Sequence, residues 1–112
     1  MQYRTLGRTG LKVSIVSLGS GGPSRLGQNT GLSEKESHRL VEYALDRGIN
    51  LIDTAAAYGE SEAILGRALK ATPRDRYYIA TKSRPSRNDN FLTADELQSQ
   101  IENSLQRLRV NE

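Results

Sequence analysis

The sequence predicts an α/β fold built on a parallel sheet. Three strand patterns alternate with three helical patterns, and the strand patterns end at Leu18, Asp53 and Lys82. These ends are about 30 residues apart, which is the spacing of strand–helix–strand units. Crossovers of this kind are right-handed and set consecutive strands parallel in one sheet. With 112 residues, the chain has room for a single domain, residues 1–112.

A short hairpin precedes the first of these units. Residues 3–6 and 12–16 form two extended runs on either side of a turn bounded by Gly7 and Gly10. Residues 15–18 are largely apolar, as a strand covered on both faces should be. A glycine-rich segment ends this strand, and a polar loop leads to the first helix.

Caps mark the predicted helices. Ser33 and Glu36 form a capping box at the start of the first helix, and Gly48 ends it. Ser61 is placed to cap the second helix. Within that helix, Gly66 costs about 1 kcal/mol relative to alanine, unless it permits close packing.

The third helix follows residues 83–90, which are polar and predict a loop. It begins at a second capping box, Thr93 and Glu96. All three helices carry apolar stripes that we expect in the core. The stripe residues are Leu40, Val41, Ala44 and Leu45 in the first helix, Ile64, Leu65, Ala68 and Leu69 in the second, and Leu97, Ile101, Leu105 and Leu108 in the third.

Two parallel folds compete for this pattern. A doubly wound nucleotide-binding domain needs G-x-G-x-x-G running straight from the first strand into a helix. Here Ser24 stands where the third glycine belongs, and the next helix cap is only at Ser33. A (β/α)₈ barrel needs no such motif and collects its active site at the carboxyl ends of its strands. A whole barrel takes about 250 residues, more than twice this length.

Three chemically active side chains follow two neighbouring strands. Asp53 ends one apolar strand, Tyr58 lies in the loop after it, and Lys82 ends the next strand. If the strands are parallel, all three meet at one edge of the sheet. A carboxylate there must find a partner, because an unpaired buried charge is expensive. The sequence therefore predicts an acid, a cation and a phenol in one pocket.

Composition argues against several other functions. The net charge of +3 is too mild for nucleic-acid binding, and five Tyr and one Phe offer little base stacking. No apolar run approaches the roughly 18 residues of a membrane span, and no signal peptide opens the chain, so we expect a cytoplasmic protein. There is no cysteine, and the single histidine, His38, lacks partners at ligand spacing, so no metal site is expected.

Two arginines stand in the polar segment after Lys82. Arg84 and Arg87 are expected to be solvated loop residues, although they could also attract a phosphate or line a substrate loop.

Taken together, these residues resemble the aldo-keto reductase family over essentially the whole chain. Residues 3–14 look like the family's opening hairpin, which closes the bottom of its barrel. Residues 52–59, with Ser61, Glu62, Leu65 and Gly66, are similar to its central signature. Residues 79–82 are like its lysine strand.

The resemblance implies a (β/α)₈ TIM barrel, of which this chain is the N-terminal part only: the hairpin plus three βα units. It implies NADP(H)-dependent reduction of aldehydes and ketones, with Tyr58 as the general acid, Lys82 lowering its pKa and Asp53 holding Lys82. A free phenol has a pKa near 10, and a nearby cation favours the phenolate. The implied cofactor-binding positions are Gly19, Ser20, Gly21 and Asp53.

The chain departs from the family in one respect. The family's fourth-strand histidine, and most of its cofactor pocket, have no counterpart in these residues, so we expect the chain alone to be inactive. The expected partner is a small-molecule carbonyl substrate. Two alternatives stay open: a non-catalytic relative acting as a binding or regulatory subunit, like the potassium-channel β-subunits, and an isolated half-barrel that self-associates through exposed strand edges and apolar helix faces.

Overall fold

The computed structural model describes residues 1–88 and 90–111. Within them, two short hairpins flank a three-stranded parallel sheet with its helices, and no helix is long and apolar enough to cross a membrane. The elements are β1 (Tyr3–Thr5), β2 (Lys12–Ser14), β3 (Leu18–Gly19), α1 (Glu34–Asp46), β4 (Leu51–Asp53), α2 (Ser61–Ala68), β5 (Tyr78–Ala80), β6 (Ser86–Arg87), β7 (Asn90–Phe91) and α3 (Ala94–Leu108), with single 3₁₀ turns at Gln28–Thr30 and Arg74–Arg76.

The central sheet has the order β3–β4–β5, and both pairs are parallel. Asp53 lies opposite Gly19 on one side and Ala80 on the other. The predicted parallel α/β arrangement is therefore confirmed. All three strands end at the same edge, which brings the loops that follow them together.

The predicted hairpin is also confirmed, and it covers the amino ends of the sheet. Strands β1 and β2 pair antiparallel from Tyr3 opposite Ser14 to Thr5 opposite Lys12. The Tyr3 hydroxyl donates to the Gly48 carbonyl (2.9 Å), and the Asn50 side chain donates to the Lys12 carbonyl (3.0 Å). The hairpin is thus held to the residues that lead into β4.

Helices α1 and α3 begin as their capping boxes predict. The Ser33 hydroxyl accepts from the Glu36 N–H, and the Glu36 carboxylate accepts from the Ser33 N–H (2.8 Å). Thr93 and Glu96 repeat the arrangement at α3. Helix α1 ends before Gly48, whose φ of 85° is left-handed and suits glycine.

The core lies between the sheet and the helices. Its residues include Val41 of α1, Ile52 of β4 and Leu65 of α2, each fully buried. Burying a side chain of this size stabilises a fold by about 1.5–3 kcal/mol. The buried cluster consists of Leu26, Val41, Leu45, Ile52, Ile64, Leu65, Leu69, Tyr77 and Leu108.

Gly66 is explained by the packing of α2 on α3. A Cβ atom at this position would lie 2.2 Å from the carbonyl oxygen of Arg107. Gly66 therefore permits the close packing of α2 on α3, which is the condition under which a glycine inside this helix was expected.

Two predicted strands are shorter than expected. Residues 15 and 16 are not in a strand, and Ile15 and Val16 are 57% and 50% exposed. The Ser14 hydroxyl donates to the Val16 carbonyl (2.6 Å), which turns the chain before β3 starts. Strand β5 ends at Ala80, so Lys82 lies two residues beyond it rather than at its end.

Ser61 does not cap α2, contrary to prediction. It is the first helical residue, and Glu60 occupies the cap without a side-chain hydrogen bond. The Ser61 hydroxyl instead donates to the Ser20 carbonyl (2.8 Å). The Ser61 hydroxyl therefore bonds a residue 41 positions away in the chain rather than the backbone of its own helix.

The apolar stripes are only partly buried. Leu40 is 39% exposed and Ile101 is 53% exposed, so their assignment to the core is wrong. Within α3, Leu108 is buried against the core, whereas Ile101 sits two turns earlier on a face that the described residues leave open. The loop predicted for residues 83–90 also differs, because β6 pairs with β7, which begins at Asn90; residue 89 of that loop lies outside the described residues.

Candidate active site

An ion pair joins the ends of β4 and β5. Lys82 Nζ lies 2.6 Å from Asp53 Oδ2 and also donates to the Thr54 carbonyl (3.0 Å). The backbone fixes both partners, since the Thr54 N–H donates to the Ala80 carbonyl (2.8 Å). The predicted meeting of Asp53 and Lys82 is thereby observed.

The pair is polar and accessible. The Lys82 side chain is 52% exposed and the Asp53 side chain is 40% exposed. The hydrogen bond to Asp53 raises the pKa of Lys82 above its ordinary value, while desolvation opposes the shift. Lys82 therefore carries its positive charge throughout the physiological pH range.

Tyr58 lies beside this pair. The turn that carries it is closed by a hydrogen bond from the Tyr58 N–H to the Ala55 carbonyl (3.0 Å). Lys82 Nζ is 5.5 Å from the centre of the Tyr58 ring. The half-buried phenol thus shares one edge of the sheet with a cation and a carboxylate, as the sequence predicts.

The Tyr58 ring packs closely against the backbone that follows β3. A Cβ atom at Gly21 would lie 2.6 Å from Cε2 of Tyr58, closer than side chains tolerate. The absence of a side chain at Gly21 therefore sets where the ring can lie. Gly21 thus affects the position of the Tyr58 ring independently of any contact with a cofactor.

Gln28 fixes the turn after Tyr58. Its side-chain amide donates to the Ser61 hydroxyl (2.9 Å), and its carbonyl oxygen accepts from the Glu60 N–H (3.1 Å). The same amide donates to the Arg25 carbonyl (2.6 Å), which fixes the Gln28 side chain within the loop before α1. The two hydrogen bonds to Glu60 and Ser61 thus hold the segment after Tyr58 against this loop.

Glu62 holds the segment that carries Lys82. Its carboxylate is 1% exposed and accepts from the Thr81 hydroxyl (2.6 Å) and from Arg107 Nε (2.7 Å). A buried carboxylate requires such partners, because removing one leaves an uncompensated charge. The Glu62 carboxylate therefore links α2, the residue before Lys82, and α3.

Sequence reasoning assigned no role to Gln28 or Glu62. Gln28 lies in a polar loop, where one amide among several carries no signal of its own. Glu62 is one of the residues that resemble the family's central signature, but an acid in the first turn of a helix ordinarily interacts with the helix dipole. Only the fold brings Arg107, 45 positions along the chain, to its side.

The implied cofactor positions differ in accessibility. Gly19 is exposed with open space above it, whereas Ser20 is fully buried. The Ser20 hydroxyl oxygen has no hydrogen-bond partner among the described residues, and the Ser20 N–H donates to the Asp53 carbonyl (2.9 Å). The exposed Gly19 backbone and the accessible Asp53 carboxylate thus lie side by side at this edge of the sheet.

Comparison with known proteins agrees with this geometry. The sequence profile of the Aldo/keto reductase family matches residues 17–112. The chain belongs to the aldo/keto reductase family. It is 38% identical to L-galactose dehydrogenase of Arabidopsis thaliana, covering 99% of this chain and 35% of that protein.

The fold is similar to solved members of this family, which are (β/α)₈ barrels. A thermostable aldo-keto reductase, Tm1743, solved with the inhibitor epalrestat, superposes with a TM-score of 0.82 at 32% identity, covering 99% of this chain and 40% of that one. The chain matches only part of that barrel, and the described residues alone do not show a closed barrel. The chain spans about a third of the length of the curated relatives that it matches.

One relative is named for a different role. A Schizosaccharomyces pombe protein, assigned provisionally by its name as a voltage-gated potassium channel subunit beta, is 44% identical over 84 residues, covering 71% of this chain and 24% of that protein. The family therefore includes proteins named as enzymes and a protein named as a channel subunit.

Proposed function

We propose that the intact protein, meaning the polypeptide that the cell makes containing residues 1–112, is an NADP(H)-dependent reductase of aldehydes and ketones in a (β/α)₈ barrel of the cytoplasm. The observation that carries the proposal is the meeting of three groups at one sheet edge. Lys82 Nζ lies 2.6 Å from Asp53 Oδ2 and 5.5 Å from the centre of the Tyr58 ring. Membership of an oxidoreductase family supports it.

In this proposal, Tyr58 is the general acid. As the carbonyl carbon accepts a hydride, its oxygen becomes negative and takes the proton of the Tyr58 hydroxyl, which gives the alcohol and a phenolate. The phenolate then recovers a proton from water. A positioned acid of this kind contributes about 10²–10⁴-fold to the rate.

Lys82 and Asp53 support the phenol. The ammonium group of Lys82 offsets the negative charge left on Tyr58, and such fixed charges stabilise a transition state without reorganising. Asp53 holds the ammonium in place through their hydrogen bond. Because this hydrogen bond raises the pKa of Lys82, the cation is present at every pH at which the reaction would run.

Gly19, Gly21 and Asp53 are the residues proposed to hold the cofactor. A bound nicotinamide would supply the hydride. The Gly19 backbone is open to a ligand, and the Asp53 carboxylate, 40% exposed, can accept from a sugar hydroxyl. The fully buried Ser20 side chain would contribute only through its backbone.

Residues 1–112 alone are proposed to be inactive. Their single histidine, His38, lies on α1 with Nε2 3.3 Å from Glu34 Oε1, and so cannot supply the fourth-strand histidine of the family. The assays below therefore use the intact protein.

The proposal is tested by tracing the hydride. The intact protein is incubated with NADPH deuterated at the transferable position and a panel of aromatic and aliphatic aldehydes and ketones. We expect loss of NADPH absorbance and one deuterium on the carbinol carbon of the product alcohol by mass spectrometry. Cofactor binding without deuterated alcohol from any carbonyl would contradict the proposal.

A second candidate is a binding or regulatory subunit, favoured by the similarity to the relative named as a channel subunit. Such a protein needs no acid at Tyr58. The same experiment separates the two, since a subunit that only binds cofactor would retain NADPH without forming alcohol.

A further inference from the structure

A cavity of about 550 Å³ adjoins the site at Lys82. It lies between the loop after β4, the loop after β5, and α3. Its volume is in the range of small-molecule sites. The described residues that line it are Ala56, Ala57, Lys82, Arg84, Ser86, Arg87, Asn88 and Gln100. Lys82 lines the cavity, and its Nζ lies 5.5 Å from the centre of the Tyr58 ring, so a ligand bound there would lie against the direct neighbour of the phenol.

The lining is positively charged. It contains Lys82, Arg84 and Arg87, and none of the described lining residues is acidic. Lys82 is paired with Asp53. Arg87 lies close enough to Glu96 to help lower the pKa of that carboxyl, after the larger effect of the Thr93 hydrogen bonds.

Of the three cationic side chains that line the cavity, Arg84 is the one for which no interaction has been described above. No hydrogen bond, ion pair or ring contact to Arg84 is found among the described residues, and its side chain is exposed. A guanidinium group binds a carboxylate or phosphate with two parallel N–H···O bonds. The cavity therefore offers, in the same lining as Lys82, an anion-binding group that has no partner among the described residues.

The rest of the lining suits a small anionic molecule. Ala56 and Ala57 are exposed and short, so they leave room beside the catalytic lysine. Ser86, Asn88 and Gln100 provide neutral donors and acceptors without adding negative charge.

We propose that the substrate is a carbonyl compound bearing a carboxylate or phosphate group, which pairs with Arg84 in this cavity while the carbonyl oxygen faces Tyr58. This inference rests on the proposed reductase function, which it deepens by naming the substrate class. It also assigns Arg84 a specificity-determining role.

Binding is measured first, by calorimetric titration of the intact protein without cofactor. The probes are 4-(hydroxymethyl)benzoate and its neutral methyl ester, the alcohols of the two aldehydes used below, which form no imine with lysine. We expect the acid to bind about tenfold more tightly than the ester, the effect of one two-pronged pair between a guanidinium group and a carboxylate. Added salt should weaken binding of the acid only.

Two matched variants locate the effect. Arg84→Gln should reduce affinity for the acid to that for the ester. Arg8→Gln removes the same charge from the hairpin turn at the opposite end of the sheet and should leave the preference intact. Equal affinity for acid and ester in the wild type, or an unchanged preference in Arg84→Gln, would overturn the inference.

Kinetics separates this inference from the reductase proposal. With 4-formylbenzoate and its methyl ester as substrates, Arg84→Gln should raise KM for the acid about tenfold and leave kcat and the ester unchanged. Equal reduction of both aldehydes by the wild type would refute the inference and keep the reductase. If neither aldehyde is reduced, the panel of carbonyls described above decides the reductase proposal, and the calorimetric preference for the acid decides the role of Arg84.

Discussion

The two ends of the β3–β4–β5 sheet are built in opposite ways. At the amino end, neutral groups satisfy one another: the Asn50 side chain accepts from the Ser14 N–H (2.7 Å) and donates to the Lys12 carbonyl, and the Ser14 hydroxyl accepts from the Asn50 N–H (3.1 Å). At the carboxyl end, Asp53 and Lys82 are both about half open to solvent.

The two ends of the sheet therefore differ in what they do: one holds the hairpin in place, and the other presents charged side chains to solvent. Hydrogen bonds at the amino end hold the hairpin to the residue before β4 through neutral groups. At the carboxyl end, residues other than the three proposed catalytic groups fix their positions: Gln28 holds the Tyr58 turn, and Glu62 holds Thr81. The charged side chains are therefore held in place while staying accessible. We expect changes at the carboxyl end to affect turnover, and changes at the amino end to affect stability.

Among the changes that leave Tyr58 in place, Lys82→Met should have the largest effect on turnover. It removes the charge that offsets the phenolate, and loss of one such group typically costs about 10²–10³-fold in kcat. The melting temperature should barely change, because exposed ion pairs contribute little to stability. Steady-state reduction and a thermal melt of the intact protein test both expectations. Lys70→Met, an exposed lysine after α2, is the control; a large loss of stability in Lys82→Met would contradict the division between the two ends.

Gly21→Ala should reduce turnover by up to about 10²-fold, the cost of misplacing a catalytic group by around 1 Å. The added methyl would overlap the Tyr58 ring, at 2.6 Å from Cε2, and push it aside. Gly19→Ala is the matched control for the position of the ring only, because nothing lies within 4 Å of its added carbon and Gly19 is itself a proposed cofactor residue. Carbon-13 spectra of labelled tyrosine should show the Tyr58 signals shifted in Gly21→Ala alone. Wild-type signals and turnover in that variant would show that the contact does not position the ring.

Asn50→Ala should act on stability instead. The change leaves the Ser14 N–H and the Lys12 carbonyl without their partners, at a cost of about 1–3 kcal/mol in the free energy of unfolding. Turnover by the folded fraction should stay near wild type. Denaturant unfolding and kinetics are compared with Asn103→Ala, an exposed asparagine on α3. A loss of kcat in Asn50→Ala as large as that in Lys82→Met would remove the distinction between the ends.

The smallest effect is a pH dependence confined to the carboxyl end. Because the hydrogen bond to Asp53 raises the folded-state pKa of Lys82 above 10.5, the pair stabilises the fold in full below about pH 10.5. This contribution is lost as the pH rises through the raised folded-state value. Unfolding free energies between pH 8 and 12 should therefore converge for wild type and Lys82→Met at the alkaline end. A constant difference across that range would mean that the pair does not contribute.

Much of this contrast could be predicted from the sequence. Capping boxes at Ser33 and Thr93 act within one helical turn, so local chemistry alone determines them. The meeting of Asp53 and Lys82 follows from parallel strands of similar spacing. The proximity of the three proposed catalytic groups was therefore predictable, although their roles remain proposals.

The parts that could not be predicted depend on distant partners. Ser61 has the chemistry of a cap, but the Ser20 carbonyl competes for its hydroxyl. Ile101 keeps helical spacing with its stripe, yet burial depends on what covers that face. Glu62 finds Arg107 only because Gly66 lets α3 approach α2. The spacing of apolar residues shows which face of a helix is apolar. It does not show how much of that face a neighbouring element covers.

Replacing Tyr58 tests the central claim most directly. Tyr58→Phe removes the proposed acid and keeps the ring against Gly21. Tyr43→Phe removes the same atom from a tyrosine that is 61% exposed on α1. In the intact protein, we predict that carbonyl reduction falls about 10²–10⁴-fold in Tyr58→Phe and stays at the wild-type rate in Tyr43→Phe, with equal melting temperatures. Wild-type reduction by Tyr58→Phe would contradict the claim that this edge of the sheet carries the chemistry.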